Sequence, residues 1–323
     1  MQALAHRADA PRLSPLGDSL CGGFAGGLTR FLVAPLDVLK VRAQLRGADR
    51  AAQGVLRAAR GILREEGVRA LWRGSGAGIA LWVSFMAVQF PVYGACKRAL
   101  RARAPDAPGP ILAAGAGAAA GATATLATYP LDWARTQLAS GSVGAAGGGA
   151  WAALRPVLAA RGPAAVFAGA RPAVAAVLPS VALTFSLHDA LRGLWDDGWG
   201  NGVCAALASA GAPPELAAQA RSAACGGAAG LAAKLATHPL DTAKKLLQAQ
   251  DAFRPPRLGA PHPRYRGAVH VLRSLAAGPG GVRAWFRGLP PALYKAGAST
   301  ALTFWAFEWA CRLWAGVFGE AGA

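Results

Sequence analysis

Three carboxylates each sit two residues after a proline, with a cation three residues further on. They are Asp37 and Lys40 in "PLDVLK", Asp132 and Arg135 in "PLDWAR", and Asp241 and Lys244 in "PLDTAK". Residues three apart share one helix face. Placed three times about an axis, these charges alternate around a ring. Charges inside a membrane are costly unless paired or facing water. Such a ring therefore closes one end of a cavity while paired and opens when something compensates it, so its chemistry is gating. A helix-capping Asp beside a neighbouring base would account for any one copy. Three copies in register point to a gate.

A second set of cations falls inside apolar segments: Lys295 in "PALYKAGASTALTF", and Arg30 and Lys234, each five residues before a motif proline. The sequence places no carboxylate at their depth, which predicts an anionic ligand, phosphate-like rather than a monocarboxylate. Lysine and arginine both suit phosphate, arginine through its bidentate fork. Arg30 can also snorkel to an interface. Trp82, Phe85, Gln89, Phe185 and Ser299 are the candidates to surround a ring system. Aromatic residues in membrane helices serve packing equally well, and spacing leaves both roles open. Towards the opposite end, Lys97, Asp189, Arg192 and Glu308 form an incomplete second ring. Glu308 and Lys97 can pair, but Gly94 and Cys311 stand where a carboxylate and a cation are wanted. This second gate is expected to be the weaker.

The elements that position these residues recur. Pro35, Pro130 and Pro239 are 95 and 109 residues apart, about a third of the chain. Gly26, Gly121 and Gly230 lie nine residues before them, and Gly22, Gly117 and Gly226 four before that. "EGVRALWRG" (66–74), "RGPAAVFAG" (161–169) and "GGVRAWFRG" (280–288) align without gaps, and Phe90, Phe185 and Phe304 follow their last glycines at one offset. Self-similarity at a fixed offset marks an internal repeat. Each unit reads as a long apolar helix kinked at proline, a short amphipathic helix, and a second apolar helix long enough to span about 30 Å of hydrocarbon. The expected fold is an all-α membrane protein with six transmembrane helices in three pseudo-threefold repeats. A tail over 1–15 precedes repeats at 16–105, 106–200 and 216–317. Substrate would bind where the repeats meet.

Composition agrees. The chain is 54% hydrophobic and 15% charged with 42 glycines, against about 25% charged in soluble domains. Small residues let helices approach closely in lipid. The net charge of +18 has its densest cluster in "CKRALRARAP", at the end of an apolar segment. That placement fits lipid headgroups rather than a nucleic-acid surface. Five cysteines form no Cys-x-x-Cys pair and five histidines show no metal-ligand spacing, so no metal or disulfide frame is expected. The N-terminal segment has the pattern of neither a secretory signal nor a transit peptide. "GDSL" (17–20) reads as a helix N-cap and "GAGAAAG" misses the dinucleotide spacing. No enzyme is expected, and no cofactor.

Three copies of P-x-D-x-x-[KR], with "EGVRALWRG" and "GGVRAWFRG" following two of them, resemble the mitochondrial carrier family over nearly the whole chain. The resemblance implies a monomeric, multi-pass carrier of the mitochondrial inner membrane with one central site, alternating between a cytoplasmic and a matrix gate. It makes the proline-linked ring the matrix gate, braced by Gln44 and Gln248, with Ala139 unable to supply a third brace. It implies cardiolipin at the helix N-termini near Trp72, Arg73 and Gly74 and near Phe286, Arg287 and Gly288. In the second repeat Arg161 and Ala168 depart from the pattern. Within the family, "HPLDTAKKLLQ", "RYRGAVHVLRSL", "RGLPPALYKAGASTALTFWAFE" and "AVQF" are most similar to carriers of thiamine pyrophosphate. Its diphosphate would meet Lys295, Arg30 and Lys234. The rivals are a nucleotide or deoxynucleotide carrier, and a non-transporting or proton-leak protein on the same fold.

Overall fold

A computed structural model describes residues 15–45, 55–141, 149–199, 202, 209, 214–249 and 265–318, and these contain helices and no strand. Repeat one has α1 (Pro15–Leu45), α2 (Val55–Glu66) and α3 (Ser75–Arg103). Repeat two has α4 (Gly109–Ala127), α5 (Tyr129–Ser140), α6 (Gly149–Arg161) and α7 (Ala170–Leu194). Repeat three has α8 (Pro214–Ala249), α9 (Ala268–Ala277) and α10 (Leu289–Phe318). The long passes pack in a closed circle, α1–α3–α4–α7–α8–α10 and back to α1.

The prolines act unequally. Among the described residues the pass of the second repeat is broken, where α4 and α5 meet at 61°. Pro130 there lies in the first turn of α5, where its missing N–H is one the helix end would leave unbonded anyway. Pro35 and Pro239 lie inside continuous helices. Each removes one hydrogen bond, and the packed neighbours hold the rest of the helix. Asp18 and Ser19 likewise lie inside α1 rather than capping it.

By length and hydropathy, Val68–Arg103 and Pro163–Gly198 qualify as membrane spans, and the bent α4–α5 pair as a third. α1, α8 and α10 are as long but carry the charges of the site.

Most of the buried core lies at the ring end, with a smaller cluster of Cys21, Ala310 and Cys311 at the other. Val38, Leu45, Ile62, Leu71, Leu246 and Val271 join repeats one and three, and Trp133, Ala153, Leu154 and Val166 hold repeat two. Elsewhere small residues make the contacts: Ala116, Ala120 and Ala124 are fully buried along α4. Of the paired glycines, Gly26 and Gly121 meet side chains closely, Trp82 and Val177 respectively, whereas Gly117 and Gly230 meet nothing.

Candidate functional site

The three proline-linked motifs converge, and their charges close a ring. Arg135 of α5 donates to Asp37 of α1. Lys244 of α8 lies 2.9 Å from Asp132 of α5, and Lys40 of α1 lies 3.9 Å from Asp241 of α8. Every link joins two different repeats, in one cyclic order. All six side chains are a quarter exposed or less, so each pair is shielded from water and stronger than a surface pair.

The backbone repeats that order. Gly74, Gly169 and Gly288 precede α3, α7 and α10 with φ of +85°, +84° and +76°. A Cβ at these positions would meet the carbonyl oxygens of Arg135, Lys244 and Lys40 at 3.0, 2.9 and 3.0 Å. The start of each even-numbered pass of the bundle thus rests on the residue that supplies the next ring cation. Only glycine permits both the backbone angle and the approach.

In repeats two and three the residue before the proline adds a tie that sequence reasoning missed. Tyr129 Oη donates to Ala168 O at 2.8 Å and stacks on Phe167. His238 Nε2 lies 3.1 Å from Arg287 O and stacks on Phe286. The equivalent residue in repeat one is Ala34, and there Trp72 Nε1 donates to Phe31 O at 3.0 Å instead. A polar ring at one register position in two repeats was the available signal.

The two expected braces differ. Gln248 donates to Asp132 (2.8 Å) and to Tyr129 Oη (3.0 Å), and accepts from Thr136 and Lys245 (both 2.9 Å). Gln44 is fully buried, and among the described residues neither end of its amide has a hydrogen-bond partner. Lys245, which the sequence reading passed over, adds a second cation to Asp132 at 3.3 Å.

The cavity cations carry one correction. They do not lack carboxylates: Lys295 pairs with Asp37, and Lys234 pairs with Asp241. Lys234 precedes Asp241 by seven residues, a rise of about 10 Å, so both lie on one face within reach of a long side chain. Arg30 lies over the Trp82 ring at 5.5 Å, and Trp82 itself lies against Gly26. Arg30, Asp37, Gly78 and Arg135 line one cleft, where Gly78 leaves room for the Arg135 side chain. Phe85, Gln89 and Ser299 are half-buried, and the Ser299 carbonyl accepts from Thr303. The side chain of Phe185 lies outside the described residues.

At the opposite end, no ion pair joins Lys97, Asp189 and Arg192 among the described residues. Lys97 lies over Tyr93, and the Asp189 side chain, 70% exposed, has His188 at 3.6 Å. The side chain of Glu308 lies outside the described residues. One end of the bundle is thus tied by three charge links, while the described charges at the other end are apart.

At the α2–α3 corner, Glu66 takes both Arg42 and Arg73, so the Arg73 guanidinium is held by protein. Ser75 Oγ donates to Trp72 O at 2.5 Å.

Residues 11–104, 107–198 and 217–317 each match the mitochondrial carrier protein family. The chain is 34% identical over 301 residues to the mitochondrial thiamine pyrophosphate carrier 1 of Aspergillus terreus, covering 90% of this chain and 89% of that protein. It is 32% identical to the mitochondrial thiamine diphosphate carrier 1 of Zea mays (91% and 93% covered). Against the mitochondrial thiamine pyrophosphate carrier 1 of Neurospora crassa the identity is 32% (94% and 95% covered).

Proposed function

The chain belongs to the mitochondrial carrier protein family, a solute carrier of a mitochondrial membrane and not an enzyme, and we propose that its substrate is thiamine pyrophosphate. It moves this compound into the matrix across the inner membrane by alternating access, in exchange for nucleotides. The observation that carries the reading is the grouping of Lys295, Lys234 and Arg30 on the cavity side of a ring whose carboxylates already have their own cations. That surplus of positive charge calls for a polyanion, and a diphosphate supplies one. Trp82, with Arg30 on its face, stands where a heteroaromatic ring can stack. The names of the relatives agree with this ligand.

The closed ring is the matrix gate in this reading, and the end carrying Lys97, Asp189, Arg192 and Glu308 the cytoplasmic one. The protein acts as a monomer, since one chain encloses the cavity. Cardiolipin seats at the starts of α3 and α10, near Gly74 and Gly288, since a helix N-terminus favours phosphate.

The test is uptake of labelled thiamine pyrophosphate into liposomes carrying the purified protein, preloaded with the same compound or with ADP. Saturable uptake is expected in wild type and is lost in Lys295→Ala. Preference for ADP or deoxynucleotides would move the substrate to the nucleotide class on the same fold. Folded protein that takes up no phosphate compound would overturn the reading.

A further inference from the structure

Past the charge ring, towards the helix ends, a second set of ties joins the repeats. Arg42 Nε of α1 donates to Ala139 O of α5 at 3.1 Å, and Gln137 Nε2 of α5 donates to Gln248 O of α8 at 2.7 Å. Arg42 and Gln137 each stand five residues after a ring carboxylate, and Ala139 and Gln248 each stand seven after the next one. Both ties therefore follow the cyclic order of the ring. Each acceptor is the last residue but one of its helix, where carbonyls have no partner within the helix. The side chain of one repeat thus caps the helix of the next. Arg42 and Gln137 are both buried, so the caps are shielded from water.

The third position breaks the pattern. Five residues after Asp241 comes Leu246, buried in the core and without a donor for the matching carbonyl, that of Gln44. Two further observations fall on the same junction, between α8 and α1. Its ring link, Lys40–Asp241, is 3.9 Å long, whereas Lys244 lies 2.9 Å from Asp132 and Arg135 donates directly to Asp37. Its brace, Gln44, has no side-chain hydrogen bond among the described residues, whereas Gln248 is fully engaged at the α5–α8 junction. At the α1–α5 junction Ala139 offers no brace, but Arg42 takes its carbonyl. Lys295 also joins repeat three to Asp37, but from α10 and from the cavity side of the ring, so it does not bridge this seam.

We propose that Arg42 and Gln137 are positioning residues of the ring end, forming a second layer that is open at one junction, and that this end parts first along the α8–α1 seam. In this layer α5 is held on both flanks, and α1 and α8 on one each. Opening then resembles a clamp gaping at one side rather than three helices withdrawing together. One side chain, Leu246, breaks the threefold order that the backbone keeps. The consequence for transport rests on the reading of this end as a gate, whereas the layer is a property of the chain alone.

Leu246→Gln supplies the missing donor, and Leu246→Met is its apolar counterpart of similar shape. Hydrogen–deuterium exchange, corrected for intrinsic rates, is followed on the full chain over the last turns of α1, α5 and α8, residues 40–45, 135–140 and 244–249. In wild type the α5 turn is the slowest. Leu246→Gln slows the α1 and α8 turns about fivefold relative to Leu246→Met, the equivalent of one hydrogen bond of about 1 kcal/mol. Should Leu246→Gln not fold, Gln137→Leu copies the residue of repeat three into repeat two. It speeds deuteration at the ends of α5 and α8 by a similar factor and leaves the end of α1 unchanged. Equal protection of the three turns in wild type, or no change in either variant, would overturn the open layer.

Uptake then decides whether the seam belongs to the gate. Thiamine pyrophosphate uptake into liposomes is expected to run several-fold slower in Leu246→Gln than in Leu246→Met, with KM not raised, because the added tie breaks each time this end opens. Slowed deuteration beside equal uptake rates would overturn the role of the seam in opening and leave the layer intact. No uptake even in wild type, beside the expected deuteration pattern, would overturn the substrate reading and not the layer.

Discussion

Gln44 and Gln248 stand at equivalent positions, four residues past Lys40 and Lys244, and sequence treats them alike. Their surroundings do not. Gln248 spends its whole amide on Asp132, Tyr129, Thr136 and Lys245, whereas Gln44 is buried without a partner among the described residues. A satisfied buried polar group and an orphaned one respond oppositely to an apolar replacement of the same shape. Gln248→Met removes four hydrogen bonds in a buried network and is expected to lower stability by about 1–3 kcal/mol. Gln44→Met removes an unmet desolvation cost and is expected to be neutral or stabilising. Thermal unfolding of the two variants checks this, and equal losses would refute it.

At the scale of elements, the sequence was most legible where the fold repeats a backbone requirement. The nine-residue blocks end in Gly74, Gly169 and Gly288, and each of these glycines has a positive φ and rests on a ring-cation carbonyl. Their positions were evident from alignment, but their physical role was not, because the carbonyl each one meets belongs to another repeat. The cavity lysines were misjudged for a similar reason. Asp37 and Lys295 are 258 residues apart in the chain, and nothing local announces their contact. Lys234 and Asp241 were readable as a two-turn spacing on one helix face. Of the three prolines expected to kink their helices, Pro130 lies at a break of 61°, whereas Pro35 and Pro239 lie inside continuous helices.

The glycine reading gives a prediction. Gly67 also has φ of +79°, but open space surrounds its missing Cβ. Gly67→Ala should suffer only the backbone strain, about 1–3 kcal/mol. Gly169→Ala adds a contact with the Lys244 carbonyl oxygen that no side-chain rotation relieves. Its melting temperature should fall clearly below that of Gly67→Ala, and similar values would show that the seat is not tight.

For the whole molecule, what matters is that three links close one circle, so that no pair is independent of the other two. Reversing one charge sets like charges face to face. Lys244→Asp confronts Asp132 with a second carboxylate, and uptake in the liposome assay should be abolished. In an ideal ring, exchanging both partners would restore it. Here the exchange meets the extra cation on each carboxylate. Asp132→Lys with Lys244→Asp places the new lysine beside Lys245, 3.3 Å from the original carboxylate oxygen, and removes the group to which Gln248 donates. The swap alone should therefore recover little. Adding Lys245→Gln removes the repulsion and supplies an amide to hydrogen-bond the exchanged pair, so the triple variant should transport several-fold faster than the double, since relief of even about 1.4 kcal/mol is a factor of ten. Should the double and triple variants be equally inactive while folded, the cyclic charge order would not be what closes this end. Should the double recover fully, Lys245 would have no part in holding Asp132.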